Sequence, residues 1–253
     1  SLLLEVGERR ILFSGDLGRP DDLIMKPPQD PPAADTVLIE STYGNRVHPH
    51  EDALAELAPA LQRAAARSGV VVIPVFAVGR AQAILHAIAS LKARGDIPQH
   101  LPIYLDSPMA VHTTDLFRHH PDGHRLNPAQ LKAMQDVAVM VESVQDSKAL
   151  AKRHGPKVIL SASGMATGGR VLHHLGLYLP DHRNLVLLTG YQAPGTRGAS
   201  LASGQPTVRI HGRDVGVKAE VVCMASASAH ENHRTSWLSP SAGAGARSGA
   251  RTT

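Results

Sequence analysis

Two carboxylates stand where apolar, strand-like runs give out: Asp16 in FSGDLGR and Glu40 in VLIESTYGNR. Strand ends open onto the rim where layered α/β folds bind ligands, so an acidic group there can close a metal site or orient a metal-bound histidine. Asp also favours tight turns, so a turn-capping Asp and a surface Glu account for the same residues structurally. A third stretch, KVILSASGMATGGRVLHHL, is composed like a phosphate cradle. Its glycines let backbone amides approach an anion, Ser161, Ser163 and Thr167 carry hydroxyl donors, and the helix start that follows favours negative charge. It holds neither GK[ST] nor GxGxxG, and a tight packing turn is the alternative. VFAVGRAQAIL and YLDSPMAVHTTDLF add Arg80, Asp106, Ser107 and His112 on the same expected edge. Three such turns suit several phosphates, which means a polymer more than a nucleotide.

The 15 histidines need discounting. His119/His120 and His173/His174 lie in helical runs without HExxH spacing, and adjacent residues on a helix point in different directions. They read as helix-surface or partly buried side chains. His230 closes a strand-like run and Ser-Ala-Ser-Ala, with only His233 near it, and two histidines do not complete a site. No Ser-His-Asp order or lone-cysteine arrangement stands out as a nucleophile system.

The elements that must position these groups are legible as periodicity. LLLEV, RRILFSGD and TVLIEST read as strands, with GER a hairpin turn between the first two. MKPPQDPPAAD cannot sustain a ladder and is a loop. Residues 49–67 have helical spacing. Strand and helix then alternate: VVVIPVF, RAQAILHAIASLKARG, PIYLD, AVHTTDLFRHH, VAVMVES, SKALAKRHG, KVILSAS, GGRVLHHLGLYL, NLVLLTG. That rhythm predicts an α/β fold with a largely parallel, doubly wound sheet covered by helices. TVRIHGRDVGVKAEVVCM reads as short antiparallel strands about a Gly-Arg-Asp turn. Hairpin-like ends around a Rossmann-like middle suggest an inserted domain that splits a first one.

Length and composition bound the class. The chain has 253 residues, 43% hydrophobic and 19% charged, without an apolar run long enough to span a bilayer. A soluble globular protein with no membrane partner is expected. The single cysteine, Cys223, excludes an internal disulfide and a cysteine-based zinc site; its apolar neighbours predict a buried, inert thiol in a reducing compartment. A net charge of +4 fits a polyanionic partner and equally an ordinary basic surface. With only 3% aromatics, nucleic-acid contact should run through phosphates rather than stacked bases.

In their order, FSGDLGR, IESTYGNR, IPVFAVGRAQ, YLDSPMA, SASGMATGGR, GYQAPGTRG and the closing SAH closely resemble the metallo-β-lactamase-fold nucleases of the β-CASP group, up to His230. The resemblance implies a partial metallo-β-lactamase αββα sandwich with an inserted Rossmann-like β-CASP domain. It places the first segment at 1–66, the insert at 67–183, a return to the first domain at 184–238 and a disordered tail at 239–253. It implies a zinc-dependent hydrolase that cleaves RNA phosphodiester bonds in RNA processing or decay, cytoplasmic, with RNA as partner and a homodimer as one assembly. Asp16 matches the aspartate bridging two Zn²⁺ ions, and Glu40 an acidic residue that supports a histidine near the metals. His230 matches a histidine acting at the scissile phosphate, and the turns of Arg80, Ser161, Ser163 and Thr167 belong to the cap facing the RNA backbone. Two zinc ions would generate hydroxide and stabilise an in-line transition state.

The family's HxHxDH motif and final HGE-like histidine have no counterpart here, and the text after His230 reads as a diverged end. The chain is therefore expected to be a piece of a longer enzyme, without stoichiometric zinc of its own. A catalytically inactive RNA-binding or scaffold remnant, and a DNA-directed nuclease, are the competing readings.

Overall fold

Runs of β-branched residues bounded by glycine and proline form the strands, and Ala/Leu-rich segments form the helices that cover them. The computed structural model describes residues 1–42 and 53–224. These fall into two compact units, one of residues 1–22 and 27–42, the other of residues 23–26 and 53–224. The expected α/β class, with a parallel Rossmann-like sheet, is the class found.

In the first unit β1 (Leu2–Val6) and β2 (Arg9–Phe13) form an antiparallel hairpin, and β3 (Thr36–Leu38) adds to β2 in parallel. Gly7 takes the left-handed conformation that the tight turn demands (φ 60°). The Pro-rich segment between β2 and β3 carries no regular ladder, since proline cannot donate to one.

The second unit is a three-layer α/β/α sandwich. Its strands are β4 (Val70–Pro74), β5 (Ile103–Leu105), β6 (Val139–Met140), β7 (Lys157–Ser161), β8 (Leu185–Leu188) and β11 (Glu220–Cys223). They form a six-stranded sheet in the order β11-β8-β4-β7-β5-β6, all pairs parallel. β4, β7 and β8 are buried along their whole length, which is why β4 and β8 read as continuous apolar runs and β7 as an apolar centre between Lys157 and Ser161. On one face Leu57, Leu61, Ile84, Leu85, Ile88 and Met134 pack from α1 (Ala53–Ala66), α2 (Arg80–Arg94) and α4 (Pro128–Asp136), with Ala110 of α3 (Pro108–His119). On the other, Leu150, Leu175 and Leu201 pack from α5 (Val144–Lys152), α6 (Val171–Tyr178) and α7 (Arg197–Ala202).

Several expectations change. The antiparallel hairpin is β9 (Thr207–Ile210) with β10 (Arg213–Gly216), and its turn is His211-Gly212, both at positive φ, rather than Gly-Arg-Asp. β11 leaves that hairpin and joins the parallel sheet beside β8. The described part of 184–238 thus lies in the second unit, because β8 and β11 pair into its sheet, and so does α1, which packs against β4. Cys223 is exposed at the end of an edge strand, not buried, although partial burial of its thiol pushes the pKa up. The expected tail at 239–253 lies outside the described residues. No helix among the described residues is long and apolar enough to cross a membrane.

Candidate functional site

Asp16 and Glu40 sit at neighbouring strand ends of the first unit. The β2–β3 pairing continues past the strands as Ser14 N–H donates to the Leu38 carbonyl at 2.8 Å. The Ser14 hydroxyl accepts the Glu40 amide at 3.0 Å. The Glu40 carboxylate then reaches back: Oε1 accepts the Leu17 N–H at 2.6 Å and Oε2 accepts the Thr42 hydroxyl at 2.6 Å. Residues 15–17, which carry an exposed Asp16, are thereby tied to the segment after β3. Among the described residues no group of three or more His, Cys, Asp or Glu side chains could hold a metal ion. Asp16, expected as a ligand, therefore has no such set around it there, and the described donors do not fit a two-zinc centre. His230 lies outside the described residues.

The remaining expected site residues come together at the carboxyl edge of the six-stranded sheet. Because β4 and β7 are adjacent and parallel, with Pro74 opposite Ser161, the turn leading to Arg80 and the loop 162–169 leave the sheet side by side. Gly79 supplies a left-handed conformation (φ 75°) just before α2 begins at Arg80, which is half-buried. His112 is exposed on α3. Ser107 caps that helix, its hydroxyl accepting the Ala110 amide at 3.4 Å.

The expected cradle is built differently from the bare sequence pattern. Ser161 is buried, and its hydroxyl donates to the Asp106 carbonyl at 2.8 Å, so it faces the neighbouring strand and not solvent. Ser163 Oγ accepts the Thr167 and Gly168 amides at 3.0 and 3.3 Å. The amides that an anion was expected to meet are thus held by the loop's own hydroxyl. Thr167 alone of the three hydroxyl residues is exposed, its Oγ1 3.0 Å from Ser163 Oγ. The first amide of α6, that of Val171, donates to the Ala162 carbonyl at 3.3 Å. Further ties come from β8 onward: Gln192 Nε2 donates to the Gly164 carbonyl, and Arg197 Nη1 to those of Ala166 and Thr167.

At the centre stands Asp106, at the end of β5 and fully buried. Its Oδ1 accepts Arg170 Nη1 at 2.8 Å, and its Oδ2 accepts the Ser147 hydroxyl and His174 Nε2–H, both at 2.6 Å. Arg170 also donates to the carbonyls of Val141 and Glu142. Burial alone would raise the Asp106 carboxyl. Hydrogen bonds from His174, Ser147 and Arg170 outweigh it and hold the group below its ordinary range, so it is an anion here. His174 belongs to the pair discounted from sequence: His173 is exposed and stacked on His211, whereas His174 is buried. Asp106 is visible in sequence as a strand-end acid, but helical periodicity does not say which of two adjacent histidines turns inward.

Residues 81–201, which end within α7, match the Beta-Casp domain. The chain is 38% identical over 243 residues to a ribonuclease of Thermus thermophilus, a match covering 91% of this chain and 55% of the relative. It is 33% identical over 228 residues to an RNase J-like protein of Methanocaldococcus jannaschii, covering 88% and 53%. A transcription termination factor, FttA, of Methanosarcina mazei is 30% identical over 218 residues, covering 82% and 34%. The chain spans about half the length of the first two of these relatives.

Proposed function

Because the chain belongs to the β-CASP family, we propose that it is part of a cytoplasmic, zinc-dependent hydrolase that cleaves RNA phosphodiester bonds, and that its own described residues bind and orient the RNA backbone. The observation that carries this reading is the rim of the parallel sheet. There the loops after β5 and β7 are locked around a buried carboxylate, while Thr167 stands exposed at their surface and Arg80 opens the helix after the adjacent strand. Such a rim is where open α/β sheets take their ligands.

In this reading Thr167 donates its hydroxyl to a phosphate oxygen and Arg80 adds a cation beside it. Ser161 and Ser163, first expected to touch substrate, shape the loop instead. Asp16 serves the hydrolytic centre as a metal-facing carboxylate, Glu40 fixes the turn that carries it, and His230 acts at the scissile phosphate. The described residues do not make a metal centre by themselves, so what falls to them is binding, orientation and the shape of the rim.

The test is binding of a labelled single-stranded RNA by the full chain in EDTA, across a potassium chloride series. Each phosphate contact contributes about 0.7 to the salt slope for a single strand, so Arg80→Ala should weaken binding and flatten that slope by about this amount. Affinity that is absent, or indifferent to salt, sinks the reading. Zn²⁺-dependent cutting of the same RNA by the whole gene product tests the hydrolase half separately.

A further inference from the structure

We propose that Asp106 is the positioning residue of the RNA-facing loop, setting its shape from a buried seat with His174 and Ser147 behind it; this rests on reading that loop as an RNA-backbone contact. The loop 162–169 has two stems, Ser161 and Arg170, and both are tied to Asp106. Ser161 donates to its main-chain carbonyl and Arg170 to its carboxylate, each at 2.8 Å. A residue on a neighbouring strand thus closes the loop like a clasp. Oδ2 is filled by Ser147 and His174, so the carboxylate cannot rotate without breaking two short hydrogen bonds.

Asp106 is 0% exposed and cannot touch RNA itself. It acts through Arg170 and Ser161. A buried ion pair is a poor way to gain bulk stability, because desolvation offsets most of the attraction, but it is directional. Direction is what this loop needs. Left to itself, a surface loop samples many shapes, and ordering it at the moment of binding costs affinity. His174 fits the same role. Its ring is buried and donates through Nε2–H to Oδ2, while Nδ1 makes no hydrogen bond.

Asp106→Asn in the full chain, read two ways, is the experiment. Hydrogen exchange at the Thr167 and Gly168 amides should speed up by about tenfold or more while β4 and β7 stay protected, because the loop opens locally. RNA affinity in EDTA, measured per active molecule, should fall by about tenfold without a flatter salt slope, because residues 162–169 carry no Lys or Arg and meet phosphate through a neutral hydroxyl. Mere loss of folded protein would lower the active fraction found by stoichiometric titration and leave the affinity of the remaining molecules unchanged. Loop exchange that does not change overturns the clasp, and an unchanged affinity per active molecule overturns its role in binding RNA. If Asp106→Asn does not fold, Ser147→Ala, which removes one bond to the same carboxylate, should shift both readouts in the same direction by less, and no shift overturns the proposal. Wild-type chain that ignores RNA while Asp106→Asn still loosens the loop would overturn the functional reading and with it the RNA role, yet leave the clasp standing.

Discussion

Glu40 accepts the Leu17 amide at 2.6 Å, although the two residues are 23 apart in sequence. The carboxylate thus works as a strap across two parallel strand ends, and its second oxygen is held by Thr42. An acidic residue at a strand end is easily read as a ligand-facing group. Here its hydrogen bonds show it shaping the turn that carries Asp16.

Replacing Glu40 with Ala should release that turn. The Leu17 amide would exchange with solvent on the order of ten times faster, since a charge-assisted hydrogen bond contributes about 1.5–3 kcal/mol. The antiparallel β1–β2 ladder should keep its protection. Amide exchange read by NMR at Leu17 and Leu12 checks both, and equal acceleration at the two would mean that the unit unfolds as a whole.

Gly164 should not tolerate a side chain. A Cβ there would stand 2.7 and 2.8 Å from two Phe76 ring carbons and 3.0 Å from the Phe76 nitrogen. Gly164→Ala is expected to cost about 1–3 kcal/mol, the usual range for overpacking. Phe76→Ala in the same chain should recover part of the loss, because the ring is 45% exposed and can be trimmed without opening the core. Urea unfolding of the single and double variants measures the coupling.

Ser163→Ala and Thr167→Ala separate shape from contact. Ser163 holds two amides of the loop, so its loss should cost about 1–2 kcal/mol and raise exchange at Thr167 and Gly168. Thr167→Ala should leave loop exchange nearly unchanged and weaken RNA binding alone. Identical behaviour of the two variants would contradict this division.

Acid should loosen the rim. The folded Asp106 carboxyl lies below its unfolded value of about 3.9, so its contribution is fully present above that pH and is lost as pH falls through the lower folded value. Urea unfolding measured from neutral pH down to about pH 3 should show stability falling at the acid end. The fall should be shallower in Asp106→Asn, which has no such proton to take up.

Much of the fold is legible because buried parallel strands announce themselves: VVVIP and LVLL are apolar throughout, and KVILS is apolar between Lys157 and Ser161. β11 reads as part of a hairpin since its partner, β8, lies across an intervening helix and hairpin, and local pattern carries no trace of such pairing. α4 escapes the periodicity despite a start signal, the capping box of Asn127 with Gln130. At the candidate site, Asp16, Glu40 and the loop around Ser163 stand out as motifs. What the motifs hide is which hydroxyls are spent internally. Ser161 and Thr167 look alike in sequence, yet the first closes a strand covered on both faces and the second stands exposed in the loop.

β4 lies inside the sheet although it is the first of the six strands to be made, and its partners β7 and β8 come after β5 and β6. During synthesis, roughly 80 residues separate the end of β4 from the start of β7, which at ribosomal speed is about 4–16 s. For that interval a fully apolar strand has neither neighbour available. The window for wrong association therefore opens early on the ribosome and closes only with β7 and β8, which makes this segment the place where a nascent-chain chaperone would have most to do.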